Sequence, residues 1–160
     1  MMSVLSFRNF LIGILATLTM DILSAATIKL RLIAPLSRHL VGRWFASVAR
    51  GQPFHTNISS ESAINREVVI AVSVHYAIGV ALAFLYLGAT SALGLNTRNP
   101  ITAFGFALCT NILPWFVMFP AMGFGWFGNR GPAGTRLFTS SLVAHFFYGV
   151  GLWLGVSVLH

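Results

Sequence analysis

Three protonatable side chains lie inside long apolar runs of this sequence and indicate where chemistry could occur. Asp21 lies near the end of the first run, His75 lies in the second, and His145 lies in the last. A protonatable residue within a membrane-crossing segment is rare, and it marks a site or pairs with a neighbour. A carboxylate with two imidazoles suits a divalent transition metal, and histidine titrates near physiological pH. These residues therefore predict a site for protons or for a divalent metal ion.

The two histidines have similar surroundings, which leaves other interpretations open. His75-Tyr-Ala-Ile-Gly79 and His145-Phe-Phe-Tyr-Gly149 each place an aromatic residue after the histidine and a glycine one helical turn later. Paired histidines in a helix bundle can ligate a b-type haem, and each glycine could make room for the porphyrin edge. A haem held by His75 and His145 is therefore one alternative. The other is a structural or assembly protein in which Asp21 hydrogen-bonds one histidine and no ligand binds.

The depth of the three residues and their neighbours favour a common site. At a rise of about 1.5 Å per residue, Asp21 and His75 fall roughly 10 Å inside their helices from the same side, and His145 falls slightly deeper. Small residues spaced four apart accompany each of them and let membrane helices approach closely. These stripes are predicted to face one another, and they comprise Gly13, Thr17 and Ala25; Ala71, Gly79 and Ala83; Ser141 and Gly149.

The elements that must position these residues are membrane-spanning helices. Of the 160 residues, 56% are hydrophobic and 8% are charged, whereas soluble domains carry about a quarter charged residues. Four apolar runs reach the roughly 20 residues that cross a bilayer, at about 10–30, 68–95, 101–122 and 137–159. We therefore predict an all-α fold, with residues 1–160 forming a single integral membrane domain built on a bundle of four transmembrane helices. Pro114 predicts a kink in the third of them.

The long connection at 31–67 is predicted to hold one further helix, over Leu36–Arg50. Its apolar residues fall on one half of the helical wheel, and Arg38, Arg43 and Arg50 fall on the other. This pattern is typical of an amphipathic helix in the headgroup region, where the three arginines could contact anionic lipid headgroups. The alternative is a helix packed on the ends of the bundle.

The distribution of basic residues predicts the orientation. Cytoplasmic loops of membrane proteins carry an excess of lysine and arginine. Arg8 and Arg98 flank one side, and eight basic residues flank the loops on the other: Lys29, Arg31, Arg38, Arg43, Arg50, Arg66, Arg130 and Arg136. Both basic loops are therefore predicted to be cytoplasmic and both termini periplasmic.

The composition and the motifs of the chain disfavour several function classes. The ten basic residues against three acidic ones are explained by topology and lipid better than by nucleic acid. The sequence has no nucleophile elbow, paired carboxylates or metalloprotease helix motif, so an enzyme is not favoured. A single cysteine, Cys109, allows no intrachain disulfide.

An ordered set of motifs over nearly the whole chain resembles a bacterial family of small multi-span membrane proteins, the domain of unknown function 2938 family. The matching segments are Ala16-Thr-Leu-Thr-Met-Asp21, Val41-Gly-Arg-Trp44, Gly51-x-x-Phe-His55, His75-Tyr-Ala-Ile-Gly79, Pro120-x-Met-Gly-x-Gly125 and His145-x-x-Tyr-Gly-x-Gly-Leu152. The resemblance implies a bacterial inner-membrane protein with four spans. It supplies no activity or ligand, but it adds His55 to the candidate metal ligands Asp21, His75 and His145. A path through so few helices would require a homo-oligomer or a larger membrane complex.

Overall fold

The fold is all-α, as the sequence predicts, in a computed structural model that describes residues 4–159. The helices are α1 (Val4–Lys29), α2 (Arg38–Ala49), α3 (Glu67–Ala92), α4 (Pro100–Cys109), α5 (Phe119–Ala121) and α6 (Arg136–Leu159). Short 3₁₀ turns occupy Ile58–Ser60 and Trp126–Gly128, and a π-helical turn occupies Pro114–Met118. The predicted positions of the two termini concern residues 1–3 and 160, which lie outside the described residues.

Within the described residues, four helical segments are long and apolar enough to cross a membrane. They are Ser6–Lys29, Glu67–Ala92, Pro100–Ala121 and Arg136–Leu159, which confirms that the chain has four such helices, as the sequence predicts. The third is interrupted where Pro114 predicts a kink, because proline cannot donate a backbone hydrogen bond. There α4 gives way to the π-helical turn Pro114–Met118 before α5.

Contacts divide the chain into two compact units. The first unit comprises the chain up to Ala26, Tyr76–Thr110 and the chain from Leu142, and the second comprises Thr27–His75 and Asn111–Ser141. Helices α1, α3 and α6 contribute residues to both units. That residues 1–160 form a single membrane domain stays a prediction.

The first unit is held together by small residues that let helices approach closely. A methyl group built on Gly151 of α6 would lie 2.6 Å from the Cα of Ala16 in α1, and one on Gly13 would lie 2.5 Å from the Cα of Val80 in α3. Such close backbone packing is how membrane helices associate without a hydrophobic driving force. Aromatic and aliphatic residues complete the core, among them Tyr86, Tyr148 and Leu152.

The second unit has its own core, to which α2 contributes. Trp44 packs there with Phe119, Met122 and Leu137, and its indole Nε1 donates to the carbonyl of Pro53 at 2.8 Å. The helix predicted over Leu36–Arg50 is therefore confirmed as α2. Leu36, Leu40 and Phe45 pack against this core beside Trp44. Contact of the helix with lipid headgroups stays a prediction.

Candidate functional site

Asp21 is hydrogen-bonded to a tyrosine in the first unit. The hydroxyl of Tyr76 in α3 donates to Asp21 Oδ2 across a distance of 3.3 Å, and both side chains are half-buried. A carboxyl group accepts hydrogen bonds when ionised and can donate one when protonated, while a tyrosine hydroxyl both donates and accepts. The pair can therefore keep its hydrogen bond in either protonation state of Asp21.

His145 is hydrogen-bonded to a threonine in the same unit. Its Nδ1 lies 2.6 Å from Thr110 Oγ1, and the hydroxyl of Thr110 donates its proton to the carbonyl of Ala107, also at 2.6 Å. A hydroxyl has only one proton, so when Thr110 donates to Ala107 it accepts from His145, and Nδ1 then carries the hydrogen. In this arrangement a proton on Nε2 would leave the bond to Thr110 in place.

The register of the helices puts both pairs at one level. Gly155 of α6 contacts Ile12 of α1, and Gly151 contacts Ala16, so the two helices run antiparallel. About one helical turn further along α1, Asp21 lies level with the residue next to His145 on α6. On α3, the carbonyl of Gly79 accepts a 2.6 Å hydrogen bond from Tyr148. Tyr76 lies three residues before Gly79 on α3, and His145 lies three residues before Tyr148 on α6, so Tyr76 and His145 are also at a similar level. Asp21 and His145 therefore lie at a similar level along the helices of the first unit, and a common membrane depth for Asp21, His75 and His145 stays a prediction.

The small-residue stripes of α1 and α3 face each other as predicted, but the stripe of α6 faces a different helix. Thr17 of α1 contacts Gly79 of α3, as predicted. In α6, however, Gly149 packs against Phe104 and Ala107 of α4, and His145 bonds Thr110 beside that helix. The stripe of the last span therefore packs on the third span, and a second set of glycines, Gly151 and Gly155, contacts α1 instead.

The remaining candidate ligands lie in the second unit. His75 is half-buried on α3, immediately before Tyr76. His55 lies in the loop after α2, with Nε2 at 3.1 Å from the carbonyl of Gln52 and Nδ1 at 3.5 Å from Glu61 Oε1. Over the range 4–159, no group of three or more His, Cys, Asp or Glu side chains is placed to hold a metal ion. The metal set Asp21, His75, His145 and His55 and the haem pair His75 and His145 stay predictions.

A buried ion pair organises the loop between α1 and α3 in the second unit. Arg43 Nε donates to Glu67 Oε1 at 2.7 Å, and Glu67 Oε2 lies 3.2 Å from His39 Nδ1. Arg43 also donates to the carbonyls of Glu61 and Ile58, at 2.6 and 3.3 Å. Both charged side chains are almost fully buried, with 10% of Arg43 and 4% of Glu67 exposed. Arg43 is therefore engaged within the protein, whereas Arg38 and Arg50 are exposed.

Sequence reasoning did not find the partners of these residues. Tyr76 stands inside the quoted motif that begins at His75, and Thr110 is one of few polar residues in the third run. Glu67 is one of only three acidic residues in the chain. This scarcity is the signal that could have marked it as an ion-pair partner, because a carboxylate at the start of an apolar span rarely stays without a cation.

The chain is similar to one known protein family. The model of a family described as "Protein of unknown function (DUF2938)" matches residues 10–159. The chain belongs to this family. The DUF2938 match covers all four spans, α2 and both hydrogen-bonded pairs. No significant match was found among curated proteins or among solved structures.

Proposed function

We propose that this DUF2938 protein is a multi-pass membrane protein that binds and releases protons at two pairs, Asp21–Tyr76 and His145–Thr110. The hydrogen bonds of the two pairs carry the proposal, because tyrosine and threonine hydroxyls can keep such bonds whether or not Asp21 or His145 holds an extra proton. The hydroxyl partners are therefore not left unsatisfied in a low-dielectric environment when the proton is gained or lost. The common level of the pairs supports a shared role, in transport or as an accessory to a larger membrane complex.

Protons suit this arrangement better than a divalent cation. A transition metal needs several ligands converging on one point, but the contacts of Asp21 and His145 lead to different helices: Asp21 bonds Tyr76 on α3, and His145 bonds Thr110 next to α4. A proton needs only one acceptor atom at a time. Asp21 and His145 would then act as separate carriers at one depth.

The proposal predicts the behaviour of His145 during acidification. In ¹⁵N-histidine-labelled protein in lipid, the His145 resonance is assigned by its loss in His145→Gln. We expect Nδ1 to stay protonated throughout, while Nε2 changes from unprotonated to protonated as the pH falls. In Thr110→Val, which keeps the shape but removes the acceptor, neutral His145 should populate both tautomers. An Nε2 resonance that does not respond to pH would contradict proton binding at this residue.

A matched substitution separates this role from a purely structural one. Asp21→Asn retains an oxygen that accepts from Tyr76 but cannot be protonated at neutral pH. If the pair serves only to hold α1 to α3, the variant should behave as the wild type in every respect. The proposed role requires the variant to fold with nearly the wild-type stability and to lose proton uptake at this site.

We further propose that the protein lies in the bacterial inner membrane with both basic loops in the cytoplasm. The argument is the excess of lysine and arginine in those loops, eight residues against two on the other side. Tags fused to the two termini should be accessible only from the periplasm. Tags accessible only from the cytoplasm at both ends would overturn this orientation.

A further inference from the structure

In the second unit, the segment that follows α1 is fixed against the beginning of α6. The backbone N–H of Ala34 donates to Ser140 Oγ at 2.9 Å, and that hydroxyl donates to the carbonyl of Arg136 at 2.6 Å. Ala34 and Ser140 are both buried. A buried hydrogen-bonded link of this kind holds the two segments in a defined register.

The side chain of Arg136 reaches the backbone of Arg31 beside this link. The guanidinium of Arg136 donates to the carbonyl of Arg31 at 3.4 Å, although the two residues are 105 positions apart. Lys29, in the last turn of α1, is two residues before Arg31. All three basic side chains are exposed. We call Lys29, Arg31 and Arg136 the basic corner.

The acidic residues of the chain are engaged with other groups. There are three of them. Asp21 accepts from Tyr76, Glu61 lies beside His55, and Glu67 binds Arg43 and His39. Exposed positive side chains attract anions through their charge. The basic corner therefore attracts an anion from outside the chain.

We infer that the basic corner binds the phosphate group of an anionic membrane lipid. Guanidinium groups match the oxygens of a phosphate with paired hydrogen bonds, which makes arginine well suited to this anion. Two helices long enough to span a membrane meet the corner: one ends at Lys29, and the other begins at Arg136. Headgroup phosphates lie at this level, and basic pockets at helix ends are known lipid sites.

The neighbours of Arg31 favour a lipid over a free phosphate ion. Leu30 and Leu32 flank it and expose 68% and 67% of their surface. Exposed leucines beside an arginine provide apolar surface for acyl chains next to a contact for the headgroup. A free phosphate would use the arginine and leave both leucines in water.

The test is lipid binding to the full-length protein in mild detergent, measured by native mass spectrometry. Phosphatidylglycerol is compared with the zwitterionic phosphatidylcholine for wild type, R31Q, R136Q and the double variant. Since each basic residue near an anionic surface contributes about 1 kcal/mol, we expect a roughly fivefold loss of phosphatidylglycerol affinity per variant and about 25-fold for both. The matched control is R98Q, which removes an exposed arginine from the loop between α3 and α4. It should leave the affinity unchanged.

Three outcomes would overturn the inference. The first is an unchanged phosphatidylglycerol affinity in the double variant, and the second is an equal loss in R98Q. The third is displacement of the lipid by inorganic phosphate at a comparable concentration, which would show that the corner binds a free ion. Retention of the lipid under that competition supports the lipid assignment. Thermal unfolding of lipid-free R31Q/R136Q should match the wild type, so that a loss of binding is not a loss of fold.

Discussion

Arg43→Leu should destabilise the protein by about 3–5 kcal/mol, because it leaves the charge of Glu67 buried without its main partner. The side chain of Glu67 is 4% exposed, and Arg43 approaches it at 2.7 Å. The same arginine bonds the carbonyls of Ile58 and Glu61, so its removal also frees the loop between α2 and α3. The measurement is the free energy of unfolding in detergent micelles.

Two further variants make this prediction specific. Arg38→Leu removes an exposed charge from the same helix and should change the free energy of unfolding by about 0.5 kcal/mol or less. Arg43→Leu/Glu67→Leu removes both buried charges and should be more stable than Arg43→Leu alone. The reason is that two apolar side chains can replace a buried ion pair at little cost, whereas a single unpaired buried charge is strongly destabilising. If Arg43→Leu proved no more harmful than Arg38→Leu, the ion pair would not be what holds this loop.

Gly151→Ala should weaken the packing of α6 on α1 by about 1–3 kcal/mol, the range seen when atoms are forced into a close-packed core. The added methyl group would lie 2.6 Å from the Cα of Ala16 and 2.8 Å from its carbonyl oxygen. These are backbone atoms, which cannot turn aside as a side-chain end could. The helices must therefore separate, which also disturbs the level at which Asp21 and His145 lie.

The chain contains a matched control for this substitution. Gly88 is likewise inside a helix, in α3, but a methyl group built on it meets nothing within 4 Å. Gly88→Ala should be neutral or stabilise the helix by up to about 1 kcal/mol, since alanine has the higher helix propensity. Unfolding in detergent gives both values. Equal effects of the two substitutions on the free energy of unfolding would show that the close approach of α1 and α6 does not contribute to stability.

The sequence predicts the helices well because their signals are local. Four long apolar runs predict helices long enough to span a membrane, and the apolar periodicity of Leu36–Arg50 predicts α2. The interruption of the third span follows in the same way from Pro114. None of these predictions requires knowledge of which helices are neighbours.

The partners of the site residues could not be predicted, because they depend on which neighbour each helix face meets. The last span has small residues on two faces, one with Gly149 and one with Gly151 and Gly155. Both faces permit close packing, and only the packing of several helices together decides that His145 meets Thr110. Arg43 is a similar case. A helical wheel assigns it to the polar half of α2, yet its partner Glu67 lies 24 positions further along the chain.

The central claim, that Asp21 binds and releases a proton beside Tyr76, has one most direct test. Asp21 is the only aspartate in the chain, so labelling aspartate with ¹³C at its carboxyl group gives an infrared probe of a single site. During a pH titration in lipid, we expect the labelled carboxylate bands to convert into the band of the protonated acid. In Tyr76→Phe, which removes only the hydroxyl, the conversion should occur at a different pH. A labelled carboxyl group that stays in one form wherever the protein remains folded would contradict the account.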